Sequence, residues 1–160
     1  MTLDRVILDD DTRGTLPPFI EADREQAVAD LAGANHFRVS GRDGETTSGP
    51  YVLHLTIHDG RLVFDIRDRD DAPLIAIGLA LGPFRGLVKD YQMLVDSHIK
   101  AVEEGRESRI QAIDMGRRGL HDEGAKLMTE RLTGKIDIDF DTARRLFTLV
   151  CVLAQRISAR

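Results

Sequence analysis

The stretch Tyr51-Val-Leu-His-Leu-Thr-Ile-His-Asp-Gly-Arg-Leu-Val-Phe-Asp-Ile-Arg-Asp68 alternates apolar and polar residues on both sides of Asp59-Gly60. Asp-Gly is a favoured pair in two-residue type I′ turns, because both turn residues need a positive φ. The pattern therefore predicts an antiparallel hairpin with strands at 51–58 and 61–68. This hairpin is the strongest local signal in the chain.

The turn also sets which residues of the hairpin face each other. Three apolar pairs fall on one face and predict the core side of a sheet: Leu53 with Ile66, Leu55 with Phe64, and Ile57 with Leu62. On the other face His54 lies opposite Asp65. A charge-assisted bond between them is one interpretation, and we favour the other, an ordinary cross-strand polar pair.

The remaining periodicity predicts an α+β fold in one domain, residues 1–160. We expect a small, largely antiparallel sheet of about four to five strands followed by three C-terminal helices. Outside the hairpin, strands are expected at 3–8, 36–39 and 73–81. Helices are expected at about 20–32, from about 84, at about 108–132 and from about 141.

Two of these elements carry packing predictions. On the strand at 73–81, the small residues Ala76, Gly78 and Ala80 share one face, which suggests that a helix packs on that face. The last helix is apolar around most of its circumference, so it should be central, with Asp141 as its N-cap.

Composition narrows the class of protein. The chain has 160 residues, 42% of them hydrophobic, which is enough for one globular core. Lys+Arg 22 minus Asp+Glu 27 gives a net charge of −5, so nucleic acid is an unfavoured partner.

The N-terminus lacks the pattern of a signal peptide, and no run is apolar enough to span a membrane. We therefore expect a cytoplasmic protein without a membrane partner. The lone Cys151 supports neither a disulfide nor a metal cluster, and we expect no metal and no cofactor.

The segment Ile113-Asp-Met-Gly-Arg-Arg-Gly-Leu-His-Asp-Glu-Gly124 is predicted to be part of the third helix of the chain, at about 108–132, although it contains three glycines. Each glycine in a helix interior costs about 1 kcal/mol relative to alanine. Gly116 and Gly124 fall on the apolar stripe, where a missing side chain lets a neighbouring helix approach closely. Gly119 lies outside that stripe.

A second stripe of the same helix carries Asp114, Arg117, Arg118 and His121. One interpretation is a solvated ladder of ion pairs, each worth a few tenths of a kcal/mol. The other is an anion clamp, in which the two guanidiniums bind an anion and the histidine titrates near neutral pH. The candidate ligand-binding residues are Arg117, Arg118, His121, Lys135, Arg144 and Arg145.

Several longer motifs carry a family resemblance. They are residues 114–124, 131–136 and 139–148, with Gly49-Pro-Tyr51, residues 61–67 and Lys89-Asp-Tyr91. Together they resemble the bacterial uncharacterised protein family UPF0262 over nearly the whole chain from the first helix onward. The resemblance implies no particular activity, cofactor or catalytic residue. The family has His-Asn-Glu where this chain has residues 121–123, which weakens a catalytic role for Asp122.

Three hypotheses about function stay open. The first is a binding or regulatory protein that uses the arginine-bearing helix to hold a small anionic ligand or an acidic protein surface. The second is an enzyme in which His121 is the general acid–base, oriented by Asp114, on an anionic substrate. The third is a structural assembly subunit, and the apolar helices leave room for a homodimer. An enzyme needs these side chains to converge in a pocket, whereas a face that binds a partner protein would be flat and open. We predict that Arg117, Arg118 and His121 are partly exposed, lie within reach of Lys135 or Arg144, and border a concave surface.

Overall fold

The computed structural model describes residues 3–8, 16–40, 46–47 and 49–158. The strands are β1 Leu3–Leu8, β2 Phe37–Ser40, β3 Thr46–Thr47, β4 Tyr51–His58, β5 Arg61–Arg67, β6 Pro73–Ala80 and β7 Ile136–Ile138. The α-helices are α1 Pro18–Gly33, α2 Arg85–Glu103, α3 Glu107–Leu132 and α4 Phe140–Ser158. A short 3₁₀ turn, Gly82–Phe84, precedes α2. The α+β fold predicted from the sequence is confirmed.

The hairpin has the predicted register. Leu55 pairs with Phe64, and both side chains are completely buried. Asp59 and Gly60 have φ values of +50° and +72°, as a type I′ turn requires. His54 also lies opposite Asp65 as expected, but its ring nitrogen Nε2 is 2.9 Å from a carboxylate oxygen of Asp71 instead.

The strands form two sheets. The larger sheet has the order β1-β4-β5-β6, in which β1 is parallel to β4 and the other neighbours are antiparallel. The smaller sheet has the order β3-β2-β7. Its β2–β7 pairing places Phe37 opposite Ile138 and so joins the chain after α1 to the segment between α3 and α4. The predicted strand near 36–39 is confirmed, whereas this partner strand was not predicted.

The face of β6 that carries its small residues differs from the prediction. Ala76, Gly78 and Ala80 are exposed, while Ile77 and Leu79 on the other face are buried in the core. The prediction that a helix packs on the small residues is wrong, because this part of the sheet buries only one face, as antiparallel sheets often do. A Cβ added at Gly78 would meet only the side chain of Arg61 on the neighbouring strand, at 3.7 Å.

The last helix, α4, is central as predicted. Its residues Leu146 and Val150 are completely buried and Leu153 is 1% exposed, because α1 and α3 both pack against it. The N-cap is Asp139 and not the predicted Asp141, since the backbone N–H of the third helical residue donates to an Asp139 carboxylate oxygen at 2.8 Å. No helix among the described residues has the length and apolar character needed to cross a membrane.

The glycines of α3 differ in what surrounds them. A Cβ at Gly124 would lie 2.2 Å from the ring of Phe147, so the glycine lets α3 and α4 approach closely. A Cβ at Gly116 would lie 3.3 Å from Leu94 of α2. Gly119 faces open space, with no atom within 4 Å of the corresponding position. The close-packing roles predicted for the first two are confirmed.

Candidate functional site

A small polar cleft lies between α1, α3 and α4, with a volume of about 140 Å³. We call it the arginine cleft. Its lining residues are Asp23, Gln26, Ala27, Asp30, Arg117, Arg118, His121, Arg144, Arg145 and Thr148. Five of the six ligand-binding candidates from the sequence therefore border one concave surface.

Helical spacing explains why each helix turns polar side chains towards the same space. Residues three or four positions apart lie on one face of a helix. Each of the three helices contributes such a set: 23, 26, 27 and 30 on α1, 117, 118 and 121 on α3, and 144, 145 and 148 on α4. Packing of α1 and α3 against α4 then brings the three sets together.

Arg117 is the most constrained guanidinium of the cleft. It forms ion pairs with Asp23 of α1 and with Asp114 of α3. Burial tends to lower its pKa, but the two carboxylates outweigh burial and raise the pKa above its ordinary value. The guanidinium carbon also lies 5.5 Å from the ring centre of Phe19. Arg117 is thus a tie between α1 and α3 as well as part of the cleft wall.

Arg118 has the least constrained guanidinium of the arginine cleft. Its side chain is 68% exposed, and within the described residues its only carboxylate partner is Asp114, at 3.3 Å. Asp114 also pairs with Arg117, so one carboxylate serves two guanidiniums. A guanidinium has five N–H donors, which leaves Arg118 with donors available at the mouth of the cleft.

Arg144 and Arg145 of α4 each have one carboxylate partner among the described residues. Arg144 donates from Nε to Asp122 at 2.8 Å, and Nε of Arg145 lies 3.5 Å from Asp30. Of the described charged groups that line the cleft, four are arginines and two are aspartates, which gives 4 − 2 = +2 with a neutral histidine. Asp114 and Asp122, which are not part of this lining, also pair with the arginines, so the four guanidiniums have four described carboxylate partners in all.

His121 corrects the expectation of a partly exposed, near-neutral histidine. It is only 5% exposed, and its ring lies 6.0 Å from that of Tyr91 and 6.3 Å from that of Phe147, centre to centre. Burial lowers its pKa from 6.5 to about 4, so the imidazole is neutral at pH 7. Nδ1 lies 3.4 Å from the Thr148 hydroxyl, and the buried Nε2 has no hydrogen-bond partner among the described residues.

Two other predicted residues lie away from the expected arrangement. Lys135 is not part of the cleft lining; it begins the connection to β7, where its carbonyl accepts a hydrogen bond from the backbone N–H of Ser40 at 2.9 Å. Asp114 does not orient His121, because its carboxylate is engaged by Arg117 and Arg118. Across the described part of the chain, no three His, Cys, Asp or Glu side chains are grouped so as to hold a metal ion.

The α1 wall of the cleft was not predicted from the sequence. Asp23 and Asp30 are seven residues apart on the same helix, with Gln26 between them. This polar stripe was a signal, but nothing local shows that it faces α3.

Arg118 also borders a second groove, of about 430 Å³, which shares this residue with the arginine cleft. Phe19 and His98 form part of its wall, with ring centres 4.5 Å apart, and Met115 lies beside them. The exposed guanidinium therefore lies between a small polar cleft and a larger, partly aromatic groove.

Comparison with known proteins points to one family. The sequence model of the uncharacterised protein family UPF0262 matches residues 1–156. The chain is similar to a UPF0262 protein of Granulibacter bethesdensis, at 62% identity over 157 residues, covering 96% of this chain and 89% of that protein. It is also similar to a UPF0262 protein of Acidiphilium cryptum, at 58% identity, covering 96% of this chain and 93% of that protein. No solved structure matches the chain.

Proposed function

The chain belongs to the uncharacterised protein family UPF0262, and from that premise we propose that it is a binding protein whose arginine cleft holds the anionic group of a small molecule. One observation carries the proposal: four guanidiniums from two helices border one cleft, and that of Arg118 is 68% exposed with a single described carboxylate partner that it shares with Arg117. Guanidiniums bind carboxylate and phosphoryl oxygens through two parallel hydrogen bonds, which gives both affinity and orientation.

The size of the cleft limits what it can hold. One water takes up about 30 Å³ in the liquid, so a volume of about 140 Å³ suits a phosphoryl or carboxylate group and not a whole nucleotide. The rest of a larger ligand would lie in the adjoining groove beside Phe19 and His98. A concave site of this kind suits a small molecule better than a flat acidic protein surface.

The enzyme hypothesis has less support. A base with a pKa of about 4 is a weak proton acceptor at neutral pH, whereas efficient general bases have pKa values near the working pH. Among the described residues no carboxylate is hydrogen-bonded to His121, and Asp114 pairs with the arginines instead. We therefore favour binding, in which His121 contributes shape and a neutral wall.

A thermal-shift screen tests the proposal. The wild type is compared with Arg118→Ala and with Arg109→Ala, which removes another exposed arginine of the same helix outside the cleft lining. Inorganic phosphate, AMP and malate are the probes, with sodium chloride at matched ionic strength as the blank. A ligand at about 100 times its Kd stabilises by about 2.7 kcal/mol, which raises the Tm of a domain of this size by roughly 5–10 °C.

We expect at least one probe to raise the Tm of the wild type and of Arg109→Ala, and to leave Arg118→Ala unchanged. Without a probe the three proteins should melt at similar temperatures, because both substitutions are at exposed positions. The proposal fails if no probe stabilises the wild type, or if Arg118→Ala responds as strongly as the wild type does.

A further inference from the structure

A larger cavity, of about 670 Å³, lies on a different part of the molecule. We call it the apolar cleft. It is bordered by the start of α1, the ends of β4 and β6, and by α2 and α4, and its aliphatic wall includes Ile20, Ile57, Leu81 and Val88. Cavities of roughly 300–1,000 Å³ with mainly apolar walls and a few polar groups are typical of small-molecule sites.

Two cations border this cleft without an acidic partner among the described residues. Arg85 and Lys89 are four residues apart in the first turns of α2, so they lie on the same face of the helix. Both are exposed, and neither forms an ion pair with any residue that the structure describes. Among the described residues that line the cleft, Arg85 and Lys89 are the charged ones, and none is acidic.

An amide adds a polar group to the wall of the apolar cleft. Gln155 of α4 lines the cleft and is only 5% exposed as a residue. Its amide N–H groups are hydrogen-bond donors, and an oxygen atom of a ligand in the cleft is a suitable acceptor for them.

We propose that the apolar cleft binds an aliphatic carboxylate, with its chain along Ile57, Leu81 and Val88 and its carboxylate at Arg85 and Lys89. An aliphatic molecule without a charge would leave both cations unpaired, and a short anion would leave the apolar wall exposed. The site is separate from the arginine cleft and does not depend on the function proposed there.

Calorimetric titration of the full chain with decanoate tests this site. We expect saturable binding of one decanoate per chain. Octanoate should bind about 16-fold more weakly, because each buried methylene contributes about fourfold in affinity. The double variant Arg85→Ala/Lys89→Ala should bind decanoate at least tenfold more weakly than the wild type. Lys100→Ala, which removes an exposed cation of α2 outside the cleft, should bind it normally.

Decan-1-ol separates the charged contribution from the apolar one. It should bind the wild type and the double variant equally, which would also show that the double variant retains its cleft. Backbone NMR shifts caused by decanoate should be centred on Leu81, Val88 and Gln155. The inference is overturned if decanoate does not bind, if its shifts lie elsewhere, or if the double variant binds it as tightly as the wild type does. Arg118→Ala should bind decanoate normally, so failure at either cleft is distinguishable from failure at the other.

Discussion

The carboxylate of Asp23 on α1, which is 4% exposed, accepts a hydrogen bond from the guanidinium of Arg117 on α3. The same carboxylate accepts a hydrogen bond from the hydroxyl of Tyr91 on α2, at 2.6 Å. Burial and the neighbouring Asp23 charge raise the pKa of Tyr91, so this hydroxyl stays protonated and remains a donor. Side chains from α1, α2 and α3 therefore meet at one buried carboxylate.

Arg117→Ala should lower the free energy of unfolding by about 2–3 kcal/mol. Removing one partner of a fully buried ion pair costs roughly 3–5 kcal/mol, and the loss is smaller here because the Arg117 side chain is 26% exposed. Urea denaturation at pH 7 measures the change, with the exposed neighbour variant Arg118→Ala expected within about 0.5 kcal/mol of the wild type. Equal stability of the two variants would show that the Asp23 pair does not hold α1 to α3.

The two glycine environments on α3 predict opposite effects of alanine. Gly124→Ala should destabilise by about 1–3 kcal/mol, because its Cβ would overlap the ring of Phe147 and force α3 and α4 apart. Gly119→Ala should stabilise by about 0.5–1 kcal/mol, because it has open space around it and alanine favours the helix. Denaturant midpoints of both variants test this, and a stabilising Gly124→Ala would contradict the close packing of the helices.

The pKa of His121 predicts a specific loss of stability in acid. Its pKa is lowered from 6.5 to about 4 by burial, so the unfolded chain binds a proton at a higher pH than the folded chain. The contribution of the neutral His121 ring to the free energy of unfolding is fully present above about pH 6.5. It is lost progressively as pH falls towards about 4, and it changes little below that. Its size is roughly 3 kcal/mol, at 1.36 kcal/mol per pKa unit.

The non-titrating variant His121→Gln isolates this contribution from other acid-sensitive groups. Urea denaturation of both proteins at pH 7 and near pH 4 gives the stability difference between them at each pH. Near pH 4 the free energy of unfolding of the wild type, relative to that of His121→Gln, should be roughly 3 kcal/mol lower than it is at pH 7. A pH-independent difference would mean that His121 titrates with an ordinary pKa and is not buried as a neutral ring.

The hairpin and the helices could be predicted because their signals are local. Asp59-Gly60 specifies its turn through backbone preferences of two adjacent residues, and α4 shows its burial in its own apolar circumference. The bare face of β6 could not be predicted in this way. Small side chains such as Ala76 and Gly78 suit both a packed face and an open one, and only the complete arrangement of the helices decides between them.

The arginine cleft, too, could be predicted only where its signal was local. Spacing on α3 identified Arg117, Arg118 and His121 as one stripe, and all three line the arginine cleft. The α1 wall was missed because the contact between Asp23 and Arg117 joins residues 94 positions apart. Burial of the imidazole was missed for the same reason: it depends on rings from α2 and α4, which helical spacing within α3 does not reveal.

Arginine side-chain NMR during a titration with inorganic phosphate, repeated with AMP, tests the proposed anion site most directly. The Nε–Hε signals of Arg118 and Arg145, which both line the arginine cleft, should shift together and saturate at one ligand per chain. The signal of Arg109, an exposed arginine on the same helix as Arg118, should not move. Shifts that fail to saturate, or that are as large at Arg109 as at Arg118, would contradict a specific anion-binding cleft.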